Sequence, residues 1–73
     1  MNIGQNIKKI RKSKGLSQIQ LSKISKVAQS SISEYETGGV EPNLRTLIRL
    51  AKALGVSVES ILYGEIHPKV SGE

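Results

Sequence analysis

Four polar side chains lie close together in the sequence, at Gln29, Ser30, Ser33 and Glu34. Residues three or four positions apart share one face of a helix, so these four would form a single polar surface there. Hydrogen-bond donors and acceptors on short stems are what a protein needs to contact base edges in the major groove of DNA. The same pattern also suits ordinary solvent-facing surface, and the rest of the chain must decide between these two interpretations.

The side chains of a typical catalytic or metal site are mostly missing. The chain has no Cys and a single His, His67, and all six of its acidic residues are Glu. Disulfides, thiolate metal sites and a Cys nucleophile are therefore excluded, and no phosphate-cradling glycine motif is present. We expect no enzymatic activity, no cofactor and no metal ion.

The net charge of +5 is distributed unevenly along the chain. The first 33 residues contain seven Lys or Arg and no acid, whereas the remainder contains four Lys or Arg and six Glu. A one-sided positive field attracts polyanions. Nucleic acid is the natural candidate and an anionic membrane surface is the second. The third interpretation is a basic face that only keeps the protein soluble.

The length of 73 residues suits one compact domain. No apolar run approaches the roughly 18 residues of a membrane span, and the N-terminus lacks the apolar core of a signal peptide. The chain has no Phe and no Trp, which argues against single-strand binders that stack bases on aromatic rings. We expect a cytoplasmic protein with no membrane partner.

The spacing of apolar residues and of capping signals predicts five helices and no strand. Ser17 and Gln20 have the spacing of a capping box at the start of the second helix. Asn2, Asn43 and Ser57 stand where they can cap the first, fourth and fifth helices. The predicted helices cover about residues 3–14, 17–25, 28–37, 44–54 and 58–63.

The fourth predicted helix is the most apolar, and we expect it to be the most buried. The connections between the helices are short, so residues 1–64 are predicted to form one all-α, five-helix bundle. Residues 65–73 lack regularly spaced apolar residues and are predicted to form a loose tail. The apolar residues of the fourth helix are Leu44, Leu47, Ile48, Leu50, Ala51 and Leu54.

The second and third predicted helices are short and are joined by about three residues, which is the size and spacing of a helix-turn-helix. The chain also resembles the phage repressor and Cro-type (XRE) helix-turn-helix family in four blocks that stand in the family's order. Together the blocks span about residues 3–63, nearly the whole chain. They read IGQNIKKIRKSKGLSQ at 3–18, SISEYETG at 31–38, PNLRTL at 42–47 and LAKALGVS at 50–57.

The resemblance implies a lambda repressor-like DNA-binding domain whose third helix reads the major groove. Gln29, Ser30 and Glu34 fall on its base-contacting positions, and Ser33 on the same face is a fourth candidate. A carboxylate at Glu34 repels phosphate but can accept from a cytosine amine. The base-contact candidates are therefore these four residues.

The resemblance also places Gln18 where the family holds a phosphate at the start of the second helix. The usual basic residues after the third helix are absent, so phosphate contacts there fall to backbone N–H groups or to later side chains. Arg11 and Glu36 fall on a paired charge that ties the first helix to the third. The phosphate-contact candidates are Ser17, Gln18, Asn43 and Arg45.

Two departures from the family pattern concern the predicted turn. Lys26 stands where the family usually has Gly, so we expect either a slightly strained turn or a left-handed conformation at Lys26. Ala28 stands where the family usually caps the third helix with Ser or Thr, and the missing cap should cost about 1 kcal/mol.

These observations predict a transcriptional regulator that binds double-stranded DNA as a homodimer on a palindromic operator, with repression favoured. The dimer interface is expected at Val58, Ile61, Leu62 and Tyr63, unless these residues only close the core of the monomer. The alternative is an antitoxin-like or other interaction module whose main partner is a second protein.

Overall fold

The computed structural model describes residues 2–64, and over this range it contains five helices and no strand. The predicted all-α, five-helix architecture is therefore confirmed, and no predicted helix end shifts by more than one residue. The predicted loose tail at 65–73, with His67, lies outside the described residues. The helices are α1 (Ile3–Ser13), α2 (Gln18–Ser25), α3 (Gln29–Thr37), α4 (Leu44–Leu54) and α5 (Val58–Tyr63).

Side chains cap three of the helices as predicted. At the start of α2 the Gln20 amide N–H donates to Ser17 Oγ at 3.0 Å, and the Ser17 amide donates back to Gln20 Oε1 at 2.8 Å. Asn43 accepts from the backbone N–H of the third residue of α4 at 2.9 Å, and Ser57 does the same for α5 at 3.3 Å. These bonds satisfy backbone donors that the helices themselves leave open.

The predicted cap at Asn2 is wrong. Its backbone lies at φ −105° and ψ 70°, away from the extended conformation in which a capping side chain reaches back to the helix. Its Nδ2 instead donates to the Gln5 side chain at 3.0 Å. The start of α1 therefore has no side-chain cap.

One apolar core joins all five helices, and its centre is completely buried. α1 packs against α3 and α5, and α4 packs against α2 and α5. This arrangement turns the outer face of α3 away from the core. The residues with no exposed surface include Ile7, Ile10, Leu21, Ile32, Leu50 and Ile61.

The prediction for α4 is wrong for two of its six apolar residues. Leu44 is 67% exposed and Ile48 is 44% exposed, whereas the other four are buried. Because α2 and α5 cover only one side of α4, two apolar residues spaced four apart remain on the uncovered side. The helix therefore presents an apolar strip to solvent.

α1 and α3 approach each other very closely at Gly4. A Cβ atom at this position would lie 1.6 Å from the backbone oxygen of Tyr35, well inside any permitted contact. Only glycine allows the two helices to meet at this distance. The contact fixes α1 across the C-terminal half of α3.

Candidate nucleic-acid interface

The outer face of α3 is free of contacts with the core. Gln29, Ser30 and Glu34 are exposed and Ser33 is partly exposed, whereas Ile32 has no exposed surface. The inward residues hold the helix in place, and the outward ones project polar groups from a rigid element. Such a face can enter a groove without disturbing the fold.

The turn between α2 and α3 departs from the simplest geometry in the two ways expected. Lys26 is left-handed at φ 60°, the only non-glycine residue with a positive φ in residues 2–64. Ala28 gives α3 no side-chain cap. Two serines of α2 hold the turn instead, because Ser22 Oγ donates to the Val27 carbonyl at 2.6 Å and Ser25 Oγ accepts from the Val27 amide at 3.3 Å.

A buried ion pair links α1 to the end of α3. Arg11 Nε lies 2.8 Å from Glu36 Oε2 and Arg11 Nη2 lies 2.9 Å from Glu36 Oε1, so the pair is bidentate. Arg11 Nη1 also donates to the Leu16 carbonyl at 2.7 Å. The guanidinium therefore joins three segments of the chain at one point.

The ion pair shifts the pKa values of both Arg11 and Glu36. For Glu36, burial acts to raise the pKa, but hydrogen bonds from Arg11 and Gln18, with the charges of Arg11 and Lys8, outweigh it and lower the pKa below its usual value. The hydrogen bond to Glu36 raises the pKa of Arg11. Both groups are therefore charged at neutral pH.

The ion pair continues into α2 and the outer face of α3 through two glutamines. Gln18 Nε2 donates to Glu36 Oε1 at 3.0 Å, and Gln29 Nε2 donates to Gln18 Oε1 at 3.2 Å. Because a carboxylate only accepts, Gln18 must turn its NH₂ group toward Glu36 and its oxygen toward Gln29. Gln29 then keeps its own Oε1 and one N–H free for a ligand.

The phosphate-contact candidates lie at two helix starts. The Oγ of Ser17 and the Oδ1 of Asn43 serve as caps, so Ser17 retains its O–H and Asn43 its NH₂ as donors. Arg45 is exposed on the first turn of α4. Each start therefore combines open backbone N–H groups with side-chain donors, which is suited to an anion.

The residues predicted to form a dimer interface divide into two kinds. Tyr63 is 65% exposed, and Val58 and Leu62 are partly exposed. Ile61 has no exposed surface, so its side chain fills the core of the monomer and offers no area to a second copy. The Ile61 carbonyl accepts from Asn6 Nδ2 at 2.8 Å, which ties the end of α5 to α1.

No described residues form a group of three potential metal ligands, and no helix in residues 2–64 is long and apolar enough to cross a membrane.

Residues 7–61 match the family described as helix-turn-helix. The chain is 39% identical over 61 residues to the SPbeta prophage-derived uncharacterized HTH-type transcriptional regulator YonR of Bacillus subtilis, covering 84% of this chain and 56% of that protein. It is 39% identical over 62 residues to the immunity repressor protein of Bacillus phage phi105, covering 85% and 43%. It is 31% identical over 65 residues to the HTH-type transcriptional activator BcrR of Enterococcus faecalis, covering 89% and 32%.

The chain thus spans about half the length, or less, of these relatives. All three relatives are named as regulators of transcription or as a repressor.

Proposed function

The chain belongs to the helix-turn-helix family of phage repressor and Cro-type regulators, and from this premise we propose that it binds double-stranded DNA sequence-specifically as a homodimeric transcriptional regulator. The observation that carries the proposal is the amide of Gln29 on the exposed face of α3, which its bond to Gln18 orients and which keeps Oε1 and one N–H free. The relatives are bacterial and phage proteins, so the proposed place of action is the cytoplasm, where their DNA lies.

The hydrogen-bonding state of Gln29 supports a particular base. Its free Oε1 can accept from the N6 amine of adenine while its remaining N–H donates to N7, which is the bidentate pairing that glutamine makes in the major groove. Ser30 and Ser33 add donors or acceptors beside it, and Glu34 accepts from a cytosine amine. The proposed half-site therefore contains an A·T pair opposite Gln29.

Phosphate contacts at the starts of α2 and α4 set the depth of α3 in the groove. In this proposal Gln18 and Ser17 bind one phosphate through side-chain and backbone donors, and Asn43 and Arg45 bind another. Such contacts are independent of sequence and fix the register in which base contacts form. The lysines of α1 add a positive field that speeds the encounter with DNA.

A homodimer is proposed because a single α3 covers only half of a typical operator. Partly exposed Val58 and Leu62, with exposed Tyr63, offer apolar area for a second copy. Exposed Ile48 lines the same surface groove as Val58 and extends this area. Two copies related by a two-fold axis would place their reader helices one helical turn apart, at about 34–36 Å.

The direction of regulation is proposed as repression. The immunity repressor supports it at 39% identity, whereas the activator is more distant at 31%. A dimer seated over a promoter blocks transcription without any further contact. A reporter fused to a promoter that contains the selected site should lose expression when the chain is supplied, and a gain of expression would contradict repression.

Selection of binding sites from a random duplex pool at about 0.15 M salt tests the proposal, because non-specific phosphate binding weakens there while specific binding survives. We expect a palindrome with half-sites about one turn apart and a Kd of about 10⁻⁸ M or tighter. Enrichment of a single half-site would contradict the dimer. No enrichment, with binding that disappears as salt rises, would contradict sequence-specific binding altogether.

A further inference from the structure

A groove lies between the C-terminal end of α2 and the C-terminal half of α4. It encloses about 380 Å³ and is open to solvent along one side. Its lining combines an exposed isoleucine with three cationic side chains. The lining residues are Ile24, Ser25, Lys26, Arg49, Lys52 and Ala53.

The cations around this groove have no acidic partner in the described part of the chain. The only ion pair in residues 2–64 joins Arg11 and Glu36, in the core between α1 and α3. Lys26, Arg49 and Lys52 therefore form no ion pair with any residue of the range 2–64. Ile24 is 54% exposed, so the lining combines an accessible apolar side chain with three cations.

Lys26 lines this groove at a conformational cost. Its φ of 60° is a left-handed conformation that is unfavourable for residues other than glycine. A glycine would form the same turn without that cost. Strained backbone conformations cluster at functional sites in proteins, and the side chain retained here is a cation that lines the groove.

The groove lies at the C-terminal end of α2, whereas the contact between α2 and the proposed reading face, the outer face of α3, is made at its N-terminal end. Ser25 is seven residues beyond Gln18, which corresponds to about 10 Å along the helix axis at 1.5 Å per residue. Gln18 at the near end contacts Gln29 of the reading face. Gln18 and Gln29 are not among the residues that line the groove.

We propose that this groove binds an acidic segment of a partner protein that carries at least one large apolar side chain. Carboxylates of the segment pair with Lys26, Arg49 and Lys52, and the apolar side chain covers Ile24. Charge complementarity selects the partner, and burial of apolar area supplies the affinity. Through such a site, a partner protein that binds to this small domain regulates it.

The test is a selection of random 12-residue peptides displayed on phage against the immobilised full chain. We expect peptides with two or more Asp or Glu around a large apolar residue. The double variant Arg49→Gln/Lys52→Gln should weaken the selected peptides about fivefold or more, because each lost charge pair at the surface contributes up to about 1 kcal/mol. The control Lys12→Gln/Lys14→Gln removes the same charge from exposed lysines outside the groove and should leave the affinity unchanged.

A third variant separates the role of Lys26 from damage to the fold. Lys26→Gly should raise the midpoint of thermal unfolding while weakening peptide binding.

The proposal is overturned if no acidic peptide is enriched, or if the two double variants bind the peptides equally. It is also overturned if Arg49→Gln/Lys52→Gln reduces DNA affinity with a shallower salt dependence, because the cations would then be phosphate contacts. DNA site selection with the wild-type chain is unaffected by any of these results, so a failure here is distinct from a failure of the proposed function.

Discussion

Gln18 Nε2 donates to Glu36 Oε1 at 3.0 Å, and this bond connects a buried ion pair to the surface proposed to read DNA. The same carboxylate oxygen accepts from Arg11 at 2.9 Å. Its position therefore determines the position of Gln18, and Gln18 in turn accepts from Gln29. A residue of the core thus orients a side chain of the reading face through hydrogen bonds alone.

Replacing Glu36 tests this connection. Glu36→Gln leaves the buried Arg11 without a counter-charge, and loss of one partner of a buried pair costs about 3–5 kcal/mol of unfolding free energy. Urea denaturation at pH 7 measures the loss. The double variant Arg11→Met/Glu36→Met removes both charges, so most of the stability should return while DNA affinity stays reduced, because Gln18 has lost its anchor. Wild-type affinity in the double variant would show that Glu36 does not position the glutamines.

The lowered pKa of Glu36 predicts how stability changes in acid. A carboxylate whose pKa is lower in the folded state stabilises the fold fully above its unfolded pKa, and this contribution disappears as the pH falls through the folded value. We expect the loss to develop from about pH 4 downwards. Urea midpoints measured between pH 7 and pH 2 should fall less for Arg11→Met/Glu36→Met than for the wild type. Parallel curves for the two proteins would contradict the assignment.

Lys26→Gly should stabilise the fold. Glycine adopts the left-handed conformation freely, so relief of the strain at φ 60° should add about 1 kcal/mol to the unfolding free energy. Lys26→Ala is the matched control, because it removes the same side chain but keeps the Cβ atom and hence the strain. If both variants change the urea midpoint equally, the left-handed turn is not the cause.

Gly4→Ala should destabilise the protein by about 3 kcal/mol or more, since overpacking of a tight contact costs at least 1–3 kcal/mol. The added Cβ would meet the Tyr35 backbone oxygen at 1.6 Å, and backbone cannot move aside as a side chain can. Gly39→Ala is the control, because its Cβ would lie at an ordinary 3.9 Å from the Glu34 oxygen. Thermal unfolding followed by circular dichroism distinguishes the two, and equal midpoints would contradict the close approach of α1 and α3.

The helices and most of their ends are predictable because they depend on local signals. The capping box of Ser17 and Gln20 and the left-handed conformation of Lys26 each involve neighbours in the sequence. Asn2 is the exception, because the conformation of a helix start is not visible in residue types alone.

What could not be predicted depends on contacts between distant segments. The exposure of Leu44 and Ile48 follows from which sides of α4 its neighbours cover, and periodicity does not reveal that. The close approach at Gly4 and the bond from Gln18 to Gln29 are also products of packing. Two glutamines eleven residues apart in the sequence do not indicate a hydrogen bond until the positions of α2, α3 and the turn between them are known.

The central claim is that α3 reads DNA through the amide of Gln29, and its most direct test compares the sites selected by Gln29→Ala with those selected by the wild type. We predict that the variant loses about 1–3 kcal/mol of binding free energy and its preference at one base pair in each half-site, while preferences elsewhere persist. Gln5→Ala, which removes the same side chain from an exposed position on α1, should select the wild-type sites. If Gln29→Ala retains both the affinity and every base preference of the wild type, α3 does not read DNA in this way.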